Sequence, residues 1–112
     1  MKLIKEIIEE TFPDESNLLG ENTMELILSR VSNNQRIEIA QTEYADQLNY
    51  YEIAHIIIEA ATFAFLVFKF IRTTPTKSNF SAKNILVLIE SKGFKKLNDE
   101  IKITIIEKLL SK

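Results

Sequence analysis

The 112-residue chain has no cysteine and no tryptophan, and it has only two glycines, two prolines and one histidine. The absence of cysteine excludes disulfides, thiolate zinc sites and cysteine nucleophiles. Two glycines are too few for a glycine-rich phosphate-binding loop, and so few turn-forming residues argue against an all-β fold. The length predicts one domain, residues 1–112, and argues against a multi-domain enzyme.

Hydrophobic residues make up 46% of the chain and charged residues 27%, which is typical of a globular protein. The first residues lack the basic segment followed by an apolar segment that marks a signal peptide. With no cysteine to suggest an oxidising compartment, we expect a cytoplasmic protein.

The net charge of −2 hides an asymmetry between the two halves of the chain. Residues 1–60 carry twelve acidic and four basic side chains, a net charge of −8, whereas residues 61–112 carry four acidic and ten basic, a net charge of +6. Such halves can neutralise each other within the fold, or one can attract a partner of opposite sign.

Apolar side chains recur at helical spacing in five segments, which predicts an all-α bundle of about five helices. Asn22, Asn49, Ser81 and Asn98 each stand where a side-chain cap would begin a helix. Pro13 predicts the end of the first helix, followed by a loop at 14–20. The predicted helices cover residues 2–12, 22–31, 50–72, 82–92 and 99–110.

Two stretches fit a helix or a strand. Residues 35–48 favour a helix, but Arg36–Ile39 alternates apolar and polar side chains as a strand does, and so does Ile101–Ile105. The alternative fold is therefore α+β, with short strands at 36–41 and 84–90. With those strands, the order strand, long apolar helix, strand resembles effector-associated adaptor domains of bacterial conflict systems, which implies an adaptor or oligomerisation role.

The segment Ile53–Ile71 is nineteen residues long, enough to cross a bilayer. Within it, His55, Glu59 and Lys69 lie near one another on a helical wheel and form a polar stripe. A charged side chain in lipid is costly, so the stripe argues against a membrane span and favours a long central helix in a soluble bundle.

Four phenylalanines at positions 63, 65, 68 and 70 cannot all face one way, because successive residues turn by about 100°. They are core residues or an interface.

Little in the sequence points to chemistry. Glu52-x-x-His55, with Glu59 one turn further, has the spacing used in di-iron helical bundles, but a full site needs further ligands, for which Glu38 or Glu43 are candidates. We predict no catalytic residue, no cofactor and no metal, and keep a metal-binding helical protein as a further alternative. Nucleic-acid binding is disfavoured because the acidic start of the last helix, Asp99–Glu100, would repel phosphate.

The best interpretation is a non-catalytic protein–protein interaction module, such as a small inhibitor or immunity-type protein of bacterial or phage origin. Its acidic first half would bind a basic toxin, nuclease or defence effector, with aromatic side chains as anchors. The alternatives are an adaptor or oligomerisation domain in a conflict system, and a homodimer. The predicted partner-binding residues are Glu6, Glu9, Glu10, Asp14, Glu15, Glu21, Glu25, Tyr50, Tyr51, Phe63 and Phe70.

Overall fold

A computed structural model describes residues 2–35, 45–73, 81–89 and 93–111. The described residues form six helices and no strand, which confirms the predicted all-α bundle with a long central helix. The helices are α1 Lys2–Thr11, α2 Pro13–Leu19, α3 Glu21–Ser32, α4 Ala45–Thr73, α5 Ala82–Ile89 and α6 Asp99–Ser111.

The alternative α+β fold is wrong where it can be tested. Residues 84–89 belong to α5, and residues 101–106 belong to α6. In α5 the buried residues Ala82 and Ile85 are three apart, which is the spacing of one helix face rather than of a strand. The predicted strand at 36–41 and the candidate ligands Glu38 and Glu43 lie outside the described residues.

The first helix ends before Pro13, as predicted, but the segment that follows is not a loop. Pro13 occupies the first turn of α2. The N–H groups of this turn have no acceptor within the helix, so a proline here breaks no hydrogen bond, and its fixed φ suits a helix. Asp14 and Glu15 follow in the same turn, where carboxylates favour the positive end of the helix dipole. The predicted loop at 14–20 was therefore wrong because these residues start a second short helix.

Gly20 separates α2 from α3 in a conformation that other residues rarely adopt, with φ 85° and ψ 163°. Its N–H donates to the carbonyl of Ser16 and closes α2, and its own carbonyl accepts from Met24 N–H and opens α3. Helix α3 therefore begins at Glu21, with no side-chain cap. The predicted cap at Asn22 was wrong because that residue lies inside the first turn.

The long helix α4 has 29 residues and extends further toward the N-terminus than predicted. Asn49 lies within its helical backbone, so the predicted start at that residue was wrong. By length and composition alone, the part of α4 from Tyr50 to Thr73 could cross a membrane. In the fold, seven of its side chains are completely buried by other helices: Ala54, Ile57, Ala60, Ala61, Phe63, Ala64 and Val67.

The shorter helices surround α4 on one side. Helices α1, α2, α3 and α6 all pack against it, while α5 packs mainly against α6. The buried apolar residues form one cluster, to which α1 contributes Ile4, Ile7 and Ile8. Among the described residues, the buried polar side chains are those of Ser16 and Lys102.

The caps of the last two helices are those the sequence predicts. The Ser81 hydroxyl accepts a hydrogen bond from Asn84 N–H at 3.2 Å, and Asn98 Oδ1 accepts one from Ile101 N–H at 2.8 Å. Gly93 has φ 75°, the left-handed conformation predicted for a helix stop. Helix α5 is described up to Ile89, and residues 90–92 lie outside the described part.

Candidate protein-binding surfaces

The seven acidic residues predicted to bind a partner lie on the solvent side of α1, α2 and α3. On α1 the apolar stripe of Ile4, Ile7 and Ile8 faces the core, which places Glu6 and Glu9 on the opposite side of the helix. Helix α2 adds the carboxylates of its first turn, Asp14 and Glu15. The amphipathic pattern of these helices therefore sorts the charges onto the outer surface.

Three of the seven predicted acidic contacts pair with lysines of this chain. Lys5 forms an ion pair with Glu21 and lies 3.7 Å from Oε1 of Glu25, which joins α1 to α3. Lys108 Nζ donates to Glu10 Oε1 at 3.0 Å, which joins α6 to α1. This second ion pair joins the basic second half of the chain to the acidic first half.

The other four of the predicted acidic contacts lie outside these ion pairs. In the described part of the chain no ion pair involves Glu6, Glu9, Asp14 or Glu15. Glu6 and Asp14 are exposed, and Glu9 and Glu15 are half-buried. We call these four residues the acidic surface.

The predicted aromatic anchors lie in different environments. Phe63 is 0% exposed and packs edge-on against Phe94, so its prediction as a partner-binding residue was wrong. Tyr50 is half-buried, and its hydroxyl lies 3.1 Å from the Thr23 hydroxyl, which ties α4 to α3. Tyr51 and Phe70 are half-buried too.

Sequence reasoning missed the exposed aliphatic side chains. Leu18 on α2 is 65% exposed and Val87 on α5 is 77% exposed, and Leu88 beside it is also exposed. A signal was present for α5, because the five consecutive apolar residues 85–89 turn through all sides of a helix and some must face water. For Leu18 the error followed from the missed α2.

A groove of about 330 Å³ runs along the outer face of α4. Its walls are mainly apolar, with Ile58, Phe65 and Leu66 from α4 and Val31 from the end of α3. The ring of His55 meets that of Tyr51 in an edge-on contact, with centroids 4.4 Å apart. At the other end Lys69 Nζ lies 5.0 Å from the centroid of the Phe65 ring.

The metal-binding alternative gains no support from the geometry. In the described ranges no three histidine, aspartate or glutamate side chains lie close enough to hold a metal ion, so Glu52, His55 and Glu59 do not form such a group. Glu59 Oε1 instead accepts a hydrogen bond from Lys96 N–H at 3.1 Å. That contact fixes the turn before α6 against α4.

The comparisons with known proteins give no family for this chain. No protein-family model, curated protein or solved structure matches it.

Proposed function

We propose that this protein is a non-catalytic, single-domain interaction module that inhibits a basic protein by binding it through the acidic surface. The observation that carries the proposal is that Glu6, Glu9, Asp14 and Glu15 have no ion pair in the described part of the chain, whereas Glu10, Glu21 and Glu25 do. Exposed charge of one sign attracts a partner of opposite sign and raises the association rate.

Charge alone gives an encounter rather than a stable complex, and α2 supplies an apolar contact beside it. Leu18 is four residues after Asp14, so the two side chains share one face of α2. With 65% of Leu18 exposed, this side chain can enter an apolar pocket of the partner while the carboxylates pair with lysine or arginine around it. The proposed contact is thus an apolar centre with an acidic rim, and Leu18 takes the anchor role predicted for Phe63.

The partner we expect is a basic protein that acts on nucleic acid, such as a nuclease toxin. Its substrate channel carries positive charge to bind phosphate, and carboxylates can occupy the same channel. An inhibitor of this kind needs no catalytic group of its own.

The test compares two triple variants with the same change in charge. The first, Glu6→Gln/Glu9→Gln/Asp14→Asn, removes most of the acidic surface. The control, Asp99→Asn/Glu100→Gln/Glu107→Gln, removes three exposed carboxylates of α6. Immobilised wild-type protein and both variants are exposed to a bacterial lysate, and bound proteins are eluted with salt and identified. A true partner stays bound to wild type and control but not to the first variant.

The activity of that partner is then titrated with the purified chain. We expect inhibition that is complete at one molar equivalent and weakens as salt is raised to about 1 M, where the Debye length falls to about 3 Å. Equal retention of every protein by the two triple variants would disprove the role of the acidic surface. A partner that binds without losing activity would disprove inhibition.

A further inference from the structure

The outer face of α4 has the pattern of a helix-pairing surface. Residues 51, 55, 58, 62, 65 and 69 follow one another at intervals of four and three, which keeps them on one side of the helix. All of them except Tyr51 line the groove. From Tyr51 to Lys69 this stripe is about 27 Å long at 1.5 Å per residue. We call these six residues the α4 stripe.

The helices of the same chain leave the α4 stripe partly open. Its side chains are half-buried, except Lys69, which is exposed, and Leu66 beside the stripe is exposed as well. By contrast, the opposite side of α4 holds the completely buried residues Ala60 and Val67. One side of α4 thus packs in the hydrophobic core, and an apolar groove remains on the other side.

Charges are distributed unevenly along this exposed side. Glu52 is exposed near the N-terminal end, while Lys69 and Arg72 are exposed near the C-terminal end. No ion pair in the described residues involves any of these three side chains. The two cations instead lie over rings of their own helix, Lys69 over Phe65 and Arg72 over Phe68. One end of the surface is therefore acidic and the other basic.

A surface with this layout is complementary to itself in one orientation. We propose that two copies of the chain pair through the α4 stripe, with the two α4 helices antiparallel around a two-fold axis near Thr62. This orientation places Glu52 of each copy at the level of Lys69 and Arg72 of the other. A parallel pair would instead set like charges side by side at both ends.

The contacts of such a pair follow from the same layout. Ile58, Phe65 and Leu66 of each copy fill the groove of the other and lose their remaining water contact. Lys69 leaves the ring of Phe65 and meets the aromatic pair of Tyr51 and His55 in the second copy, where a cation over a ring is again favourable. The antiparallel helix dipoles add a further attraction.

Two charge-reversal variants test the antiparallel arrangement without creating a cavity. Glu52→Lys makes both ends of the surface basic, and Lys69→Glu/Arg72→Glu makes both ends acidic. We expect sedimentation to give twice the 12.9 kDa chain mass for the wild type, and each variant alone to self-associate at least tenfold more weakly. When the two variants are mixed in equal amounts, opposite charges face each other at both ends and a heterodimer forms.

Matched reversals elsewhere provide the controls. Glu107→Lys on α6 and Lys83→Glu/Lys95→Glu, on α5 and in the turn before α6, change the net charge by the same amounts at exposed positions outside the α4 stripe. Both should dimerise as the wild type does, and helical circular dichroism should confirm that all four variants fold. A wild-type mass that stays at 12.9 kDa at millimolar concentration, or a mixture that stays monomeric, overturns the proposal. Neither result bears on the acidic surface, which lies on other helices.

Discussion

The ring of Phe94 stands edge-on to the ring of Phe63, with centroids 5.2 Å apart and an angle of 74° between the ring planes. This contact joins the turn before α6 to the middle of α4. The hydrogen bond from Lys96 N–H to Glu59 Oε1 joins the same turn to α4 one helical turn earlier. This turn is thus attached to the central helix by both an apolar and a polar contact.

Removal of either ring should strongly destabilise the fold. Phe63→Ala deletes a completely buried ring and should lower the free energy of unfolding by about 3–5 kcal/mol, and Phe94→Ala by a similar or slightly smaller amount. The double variant should lose about 0.5–1.5 kcal/mol less than the sum, because the edge-on pair is lost only once. Urea denaturation followed by circular dichroism measures all three. Full additivity would show that the rings do not interact.

Local sequence signals predicted the elements whose ends are set by neighbouring residues. Ser81 and Asn98 act within a few positions of themselves, so their patterns could be recognised in one sequence. Asn22 and Asn49 have the same residue type but lie inside helices, since packing decides where a helix begins when several starts are available. The second helix was missed because Pro13 both ends one helix and favours the start of another.

The candidate surfaces could be predicted only in part. The sequence shows which residues are acidic, but it does not show that Lys5 reaches α3 or that Lys108 reaches α1, because those contacts join residues 16 and 98 positions apart. In the same way, helical periodicity could not decide which of Phe63 and Phe65 faces the core. That choice depends on where the other helices sit around α4.

The two observed side-chain caps should each contribute measurably to stability. Ser81→Ala and Asn98→Ala each remove a hydrogen bond to a free N–H at a helix start and should cost about 1 kcal/mol. Asn22→Ala is the matched control, because α3 has no side-chain cap. Its effect should stay within about 0.5 kcal/mol. Equal losses for Asn22 and Asn98 in urea denaturation would contradict the cap assignment.

Gly20 should resist substitution for a reason unrelated to space. A methyl group at this position would meet no atom within 4 Å, yet φ 85° with ψ 163° is a conformation that residues with a side chain strongly disfavour. Gly20→Ala should therefore cost about 1–3 kcal/mol in thermal or urea unfolding. Asn17→Ala, at an exposed helical position of α2, should change stability by less than about 0.5 kcal/mol. A neutral Gly20→Ala variant would show that this junction relaxes without strain.

Ser16 offers a substitution that should stabilise the protein. Its hydroxyl is buried on α2 and has no hydrogen-bond partner among the described residues, so it loses contact with water and gains nothing in return. Ser16→Ala removes that cost and also introduces a better helix former, because alanine loses no side-chain entropy in a helix. We expect the free energy of unfolding to rise by about 0.5–1.5 kcal/mol. Ser29→Ala, at an exposed position of α3, isolates the helix-propensity part, so an equal gain in both variants would mean that the buried hydroxyl carries no penalty.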